Sequence, residues 1–158
     1  MIKLRNMTRN EFDKFKERSV NGYAESLIKS EMSSQEDAYK CAENEFNELL
    51  PMGLSTDNNF LYVMVNDGFE SVGFIWYSKE NTSGFVCEFV ILQNYRKKGY
   101  GFETMKMIEM DAKERAITKL RLNVFKFNEP AYNLYKKLKY RVVEDNRGSM
   151  IMEKILKD

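Results

Sequence analysis

The sequence predicts a mixed α/β fold with the element order β-α-α-β-β-β-α-β-α-β-β. Three observations carry that expectation. Two S/T-x-x-E runs, "TRNE" at Thr8–Glu11 and "SSQE" at Ser33–Glu36, match the capping box that opens a helix. Three apolar, strand-length segments then succeed one another across hairpin-type turns. Beyond Gly101 the apolar period becomes helical, and strand and helix alternate from there.

Each element has its own local reason. "IKLR" is a short first strand. The first helix carries Phe12, Phe15, Tyr23, Leu27 and Ile28, and the second Ala38, Ala42, Phe46 and Leu49, both at amphipathic spacing. Pro51 and Gly53 end the second. "FLYVMVN" (Phe60–Asn66), "SVGFIWYS" (Ser71–Ser78) and "GFVCEFVIL" (Gly84–Leu92) are the three strands, joined by "NDG" and "ENTSG". Met105, Ile108, Ala112 and Ala116 fall on one face of the next helix. "LRLNVF" (Leu120–Phe125) is a strand. "NEPAYNLYKKL" is a helix capped by Asn128, with Ala131, Leu134, Tyr135 and Leu138 along its stripe. "YRVVE" and "SMIMEKIL" close the chain as two strands.

Composition narrows the function. The 158 residues fit one domain, 1–158, with 43% hydrophobic and 31% charged residues. No apolar run reaches the roughly 18–20 residues of a membrane span, and the polar start lacks a signal-peptide core. A cytoplasmic protein without membrane contact is expected. A net charge of +1 gives no field for nucleic acid. Charge is uneven all the same, with acids concentrated over Glu25–Glu48 and cations over Arg96–Arg141. Cys41 and Cys87 lack metal-ligand spacing and are expected as free thiols. With no histidine in the chain, His-based triads and His-ligated metals are excluded, and no metal is expected. The chemistry must use carboxylates, tyrosines, backbone groups or a cysteine.

The run "RKKGYGFETM" (Arg96–Met105) places three cations and two glycines ahead of a helix. A P-loop would need G-x-x-x-x-G-K-[ST], which is absent, and a dinucleotide fingerprint fails because Thr104 stands at the third glycine position. What remains is a strand–turn–helix that aims free N–H groups and the positive end of a helix dipole at one point. Gly99 and Gly101 remove side chains that would block an anion. From spacing alone, an anion-binding turn and an ordinary turn with solvated cations both remain open.

"ILQNYRKKGYGFETM" resembles motif A of the GNAT acyltransferases, in which a strand ends in R-x-x-G-x-G and a helix follows; Arg96, Gly99 and Gly101 match. Downstream, "NEPAYNLYKKLKY" resembles the family's N-x-x-A-x-x-x-Y signature through Asn128, Ala131 and Tyr135. Gln93 stands where a proline is common and Lys139 where a glycine is usual. The resemblance implies a single domain with a central, mixed, mostly antiparallel sheet flanked by helices. It also implies acetyl-CoA as co-substrate and transfer of its acetyl group to a primary amine, on a small molecule or a peptide, through a ternary complex. A catalytically silent acyl-CoA-binding module is the alternative, and a monomer or homodimer is expected.

The same resemblance assigns residues. Arg96, Lys97, Lys98, Gly99, Tyr100, Gly101 and Phe102 would hold the pyrophosphate. Backbone groups of Val90, Ile91 and Leu92 would pair with pantetheine like an added strand, and the N–H of Ile91 or Leu92 would face the thioester oxygen. Asn128 would contact the cofactor arm as well as cap its helix. Tyr135 would donate a proton to the leaving thiolate; its position alone fits a core aromatic equally well. Glu88 is the only charge in an apolar strand, where burial would raise its pKa toward that of a base. A structural ion pair is the competing account of Glu88. Cys87 beside it is expected to be inert. For the acceptor, Tyr23, Glu25, Glu31, Met32, Glu36, Asp37, Trp76 and Tyr77 offer acids and aromatics to a cationic amine.

Overall fold

A computed structural model describes residues 1–31 and 33–157; Met32, among the acceptor candidates, lies outside the described residues. The strands are β1 (Lys3–Asn6), β2 (Asn59–Val65), β3 (Ser71–Glu80), β4 (Ser83–Ile91), β5 (Lys119–Phe125), β6 (Arg141–Asp145) and β7 (Ser149–Ile155). The helices are α1 (Arg9–Lys29), α2 (Gln35–Leu49), α3 (Tyr100–Glu114) and α4 (Glu129–Lys137). Their order is the one the sequence predicts, with 3₁₀ turns added at Gly53–Ser55 and Gln93–Tyr95.

The seven strands form one sheet in the order β1-β2-β3-β4-β5-β7-β6. Every pair is antiparallel except β4 with β5. Strand residues alternate between faces, and here both faces are covered. Leu61, Val63 and Trp76 pack with Phe12, Phe15 and Phe46 of α1 and α2. Tyr62, Met64, Ile75 and Tyr77 pack on the other face with Met105, Ile108 and Ala112 of α3. Burial on both sides is why β2 and β3 read as nearly continuous apolar runs.

Local signals set the helix ends. Thr8 makes the full capping box with Glu11. The second cap differs from expectation by one residue: Ser34, not Ser33, caps α2, accepting from the Asp37 N–H at 3.3 Å. Adjacent serines followed by adjacent acids make both registers legible, and the burial of Ala38 and Ala42 selects this one. Leu49, expected on the apolar stripe, is exposed, and Leu50 fills the core instead. Ala116, expected on the α3 face, lies past the end of that helix at φ 62°.

Two carboxylates fix α3 against the sheet. Asp111 accepts from the hydroxyls of Tyr62 (2.9 Å) and Tyr77 and from Arg115 Nε (3.2 Å). Glu109, itself buried, accepts from Tyr140 Oη (3.0 Å) and Lys154 Nζ (2.8 Å). A buried carboxylate without partners would be costly; these two are tied to β2, β3, β7 and the segment after α4. They hold the helix whose first turn borders the site.

Candidate active site

The sheet is interrupted at its centre. β4 and β5 pair only over Ser83–Val86 and Lys119–Leu122. Beyond Val86 the strands part, and Cys87 is the extra residue of a bulge between the Trp76↔Glu88 and Tyr77↔Val86 pairs. A bulge bends its strand and sharpens the local twist. The result is a wedge between Glu88–Ile91 on one side and Asn123–Phe125 on the other.

The first turn of α3 lies across this wedge. A Cβ built on Gly101 would meet Leu134 Cδ2 of α4 at 3.2 Å and Phe89 Cζ of β4 at 3.8 Å. Gly101 therefore serves close packing between α3, α4 and β4, rather than opening space for a ligand as expected. Gly99 behaves as expected: it is the N-cap of α3 at φ 82°, and a Cβ there would meet nothing within 4 Å. Only glycine adopts that φ without cost. α1, α2 and α4 are capped by the side chains of Thr8, Ser34 and Asn128, but α3 has no side-chain cap among the described residues. Its first N–H groups have no side-chain partner there, and uncapped amides with the helix dipole suit a seat for an anion.

Around that seat Lys97 and Lys98 are exposed, with Lys97 itself in the left-handed region at φ 63°. Arg96 Nε donates to the Ile91 carbonyl at 2.8 Å. Tyr100 and Phe102 are half-buried against the core. Phe102 also carries Lys106 and Lys137 over its ring, 5.6 and 5.3 Å from the centroid. Gln93 opens the 3₁₀ turn that precedes the seat.

At the end of β4 one expectation needs correction. The Leu92 N–H donates to the Val72 carbonyl at 2.8 Å, so it cannot serve as an oxyanion donor. Strand alternation turns the N–H of Ile91 the other way, into the wedge, and Val90 back toward β3. A Cβ on Gly73 would stand 2.0 Å from the Val90 oxygen, in keeping with Val90 facing β3. Ile91 alone of the three thus presents its backbone to the open side.

Glu88, Asn128 and Tyr135 line one cleft of about 850 Å³, together with Ser19, Tyr23, Glu45, Trp76, Asn123 and Phe125. Burial pushes the Glu88 carboxyl up to about 7, against the opposing influence of the Arg18 charge and the Ser19 hydroxyl. Tyr135 is buried, and desolvation together with the nearby Glu88 charge pushes its phenol upward. Each therefore holds a proton in the neutral range or can exchange one there. The Tyr135 ring packs edge-on against Tyr140, 5.9 Å between centroids. Asn128 Oδ1 accepts from the Ala131 N–H at 3.3 Å, and its amide nitrogen has no partner among the described residues. Cys87 is half-buried and burial pushes its thiol up to about 12, so it is no nucleophile at neutral pH.

The acceptor candidates divide. Tyr23 and Trp76 line the cleft. Tyr77 is fully buried on the opposite face of the sheet with its hydroxyl on Asp111, and Glu25, Glu31, Glu36 and Asp37 are not among the cleft residues. Sequence reasoning missed Glu45, Ser19 and Asn123. Glu45 had a legible signal: it lies one residue before Phe46 and three after Ala42, at the edge of the stripe that packs on the sheet.

The fold is thus a mixed sheet parted at its centre, with the glycine-started helix α3 across the gap and Glu88 and Tyr135 inside it. The sequence model of the Acetyltransferase (GNAT) family matches residues 22–140, and the chain belongs to that family. It is similar to two proteins of Bacillus subtilis (strain 168) described as uncharacterized N-acetyltransferases. YdgE is 28% identical over 141 residues, covering 87% of this chain and 90% of YdgE. YycN is 30% identical over 138 residues, covering 85% and 88%. The crystal structure of YycN superposes with a TM-score of 0.88 over 92% of this chain and 96% of that one. The PaiA N-acetyltransferase of Thermoplasma acidophilum, solved with coenzyme A, is 18% identical and shares the fold at a TM-score of 0.74, covering 98% and 99% of the two chains. The chain is accordingly an acyltransferase.

Proposed function

We propose that the protein transfers an acetyl group from acetyl-CoA directly to a primary amine bound beside it in a ternary complex. The residues fit the donor: the amides of Gly99–Phe102 and the cations Arg96, Lys97 and Lys98 suit a pyrophosphate. The Ile91 carbonyl, one lone pair of which takes Arg96 Nε, has a second for an amide N–H of the pantetheine arm, and Asn128 offers its amide nitrogen. Bound acetyl-CoA supplies a thioester carbonyl that an amine can attack.

The observation that carries this reading is that Glu88 and Tyr135, from elements on either side of the wedge, line one cleft, where the Glu88 charge reaches the Tyr135 phenol. An alkyl ammonium has a reference pKa of about 10, so most of it is protonated at neutral pH. Glu88, near 7, accepts that proton directly or through one water. The nitrogen then forms its bond to the carbonyl carbon while the Ile91 N–H steadies the oxygen. As the carbon–sulfur bond breaks, Tyr135 gives its proton to the departing sulfur, and the nitrogen sheds its extra proton as the amide forms, returning one to the phenolate through water. Burial and the nearby Glu88 charge keep the Tyr135 phenol protonated at neutral pH, so its proton is in place when the sulfur departs. Thiol release from acetyl-CoA across a panel of amines tests the reading. Release above the spontaneous rate with at least one amine is expected. No release with any, alongside a thermal shift by acetyl-CoA, would return the chain to a silent binding module.

A further inference from the structure

The cleft has a chemical bias. Three carboxylates line it, Glu45 of α2, Glu80 of β3 and Glu88 of β4, and no lysine or arginine is among its lining residues. The chain as a whole carries 25 cations against 24 acids, so this excess is local. Glu45 lines the same cleft as Tyr23 of α1 and as Cys87 and Glu88 of β4. Burial pushes up both the Tyr23 phenol and the Cys87 thiol, and the Glu45 charge adds to each. The cation whose charge reaches Glu88, Arg18, is exposed on α1 and outside the cleft lining. Within the lining, Tyr135 is 7% exposed, and its hydroxyl has no hydrogen-bond partner among the described residues.

The cleft is also roofed. Tyr23 of α1 meets Phe125 of β5 with ring centroids 6.3 Å apart, and Phe125 stacks on Phe127 at 5.6 Å. Lys29 lies over the Phe127 ring, 4.4 Å from its centroid. A contact bridging α1 to the far side of the wedge limits the acceptor to a small or slender molecule, with aromatic faces suited to a cation.

Resting on the acetyl-transfer reading, we infer that the acceptor is an aliphatic diamine or polyamine. One amine is positioned at Glu88, and a second, still protonated, is held by the Glu45 carboxylate and the Tyr23 ring. Glu45 and Tyr23 are then specificity residues: they select the dication and repel an acceptor whose second group is a carboxylate.

The test is steady-state thiol release with three acceptors of equal chain length: butane-1,4-diamine, butylamine and 4-aminobutanoate. The diamine should exceed butylamine in kcat/KM by at least about tenfold, the size expected for one charge-assisted contact, and 4-aminobutanoate should be slowest. Glu45→Gln should collapse the diamine-to-monoamine ratio through KM, and Tyr23→Leu should lower it less. Both variants should keep the thermal shift given by coenzyme A, which shows that they fold. In the wild type, added salt should depress the diamine rate more steeply than the butylamine rate. Equal kcat/KM for diamine and monoamine, or an unchanged ratio in folded Glu45→Gln, overturns the inference and leaves acetyl transfer standing. Absence of turnover with all three overturns the inference, and the wider amine panel then decides acetyl transfer itself.

Discussion

The donor side and the acceptor side of the wedge are built from different materials. The seat at the start of α3 is backbone: a glycine at φ 82°, a run of uncapped amides and a short stretch of cations, all within Arg96–Phe102. The amine side is side chains, drawn from α1, α2, β3, β4, β5 and α4 across more than a hundred residues of sequence. A backbone site can be written as one contiguous string and tolerates changes of the side chains around it. A side-chain site depends on the bend in β4 and on two helices packed against the sheet. Donor binding and acceptor chemistry should therefore separate under mutation.

The sharpest separation is expected at the proton-transfer residues. Tyr135→Phe keeps the ring and its packing on Tyr140 but removes the donor, so turnover should fall by about 10²-fold, the usual scale for a lost general acid. Calorimetric affinity for coenzyme A should stay within about twofold. Full activity in that variant would remove Tyr135 from the mechanism. Glu88→Gln should abolish the rise of kcat/KM with pH through about 7 that ionisation of the base gives the wild type. It also carries a stability sign. The native carboxyl binds its proton more tightly than in the unfolded chain, so the native state holds more protons between about 4.5 and 7. Stability must fall as pH rises across that window. The variant should lack this loss and melt higher than the wild type at pH 8, with the advantage shrinking toward pH 4.5.

The opposite pattern is expected on the donor side. Gly99→Val forces a branched residue into the left-handed region, at a cost of about 1–3 kcal/mol, and puts its side chain where the phosphates would approach. Coenzyme A affinity should drop roughly tenfold to a hundredfold, while the rise of kcat/KM with pH keeps its midpoint near 7. Gly101→Val is the control, because its side chain meets Leu134 instead of open space. It should lower stability by about 1–3 kcal/mol through overpacking and lose affinity only in proportion. If Gly101→Val hurt affinity more than Gly99→Val, the assignment of the two glycines would be reversed.

The same contrast explains what the sequence disclosed. Gly99 and the capping residues Thr8 and Asn128 act on neighbours a few positions away, so their roles are local and legible. Glu88 was visible because one charge in an apolar strand is costly wherever it points. Glu45 was not, since it is one of several acids on α2 and only the packing of Phe46 turns it toward the cleft. The bulge at Cys87 and the parting of β4 from β5 were equally silent: both depend on register between strands, which no single segment encodes. Leu92 shows the limit from the other side. Its place beside the donor arm was legible, but the direction of its N–H follows from a partner twenty residues away, Val72.

Lys139 offers the smallest and cleanest effect. α4 ends in a Schellman motif, with the Tyr140 N–H donating to the Tyr135 carbonyl at 2.9 Å and the Lys139 N–H to the Lys136 carbonyl at 3.0 Å. The motif puts Lys139 at φ 77°, where a Cβ is disfavoured and glycine is the natural occupant. It also fastens the carbonyl of Tyr135 itself, so the phenol's perch depends on a turn held in a strained conformation. Lys139→Gly should relieve about 1 kcal/mol and raise the melting temperature by about 2–4 °C for a chain of this size. The side chain is exposed and lies outside the cleft lining, so kcat and KM for the diamine should hold within twofold or so. A change in turnover larger than that would mean that the strain at the end of α4 tunes the Tyr135 hydroxyl, and the phenol's position would then belong to the backbone-built part of the site.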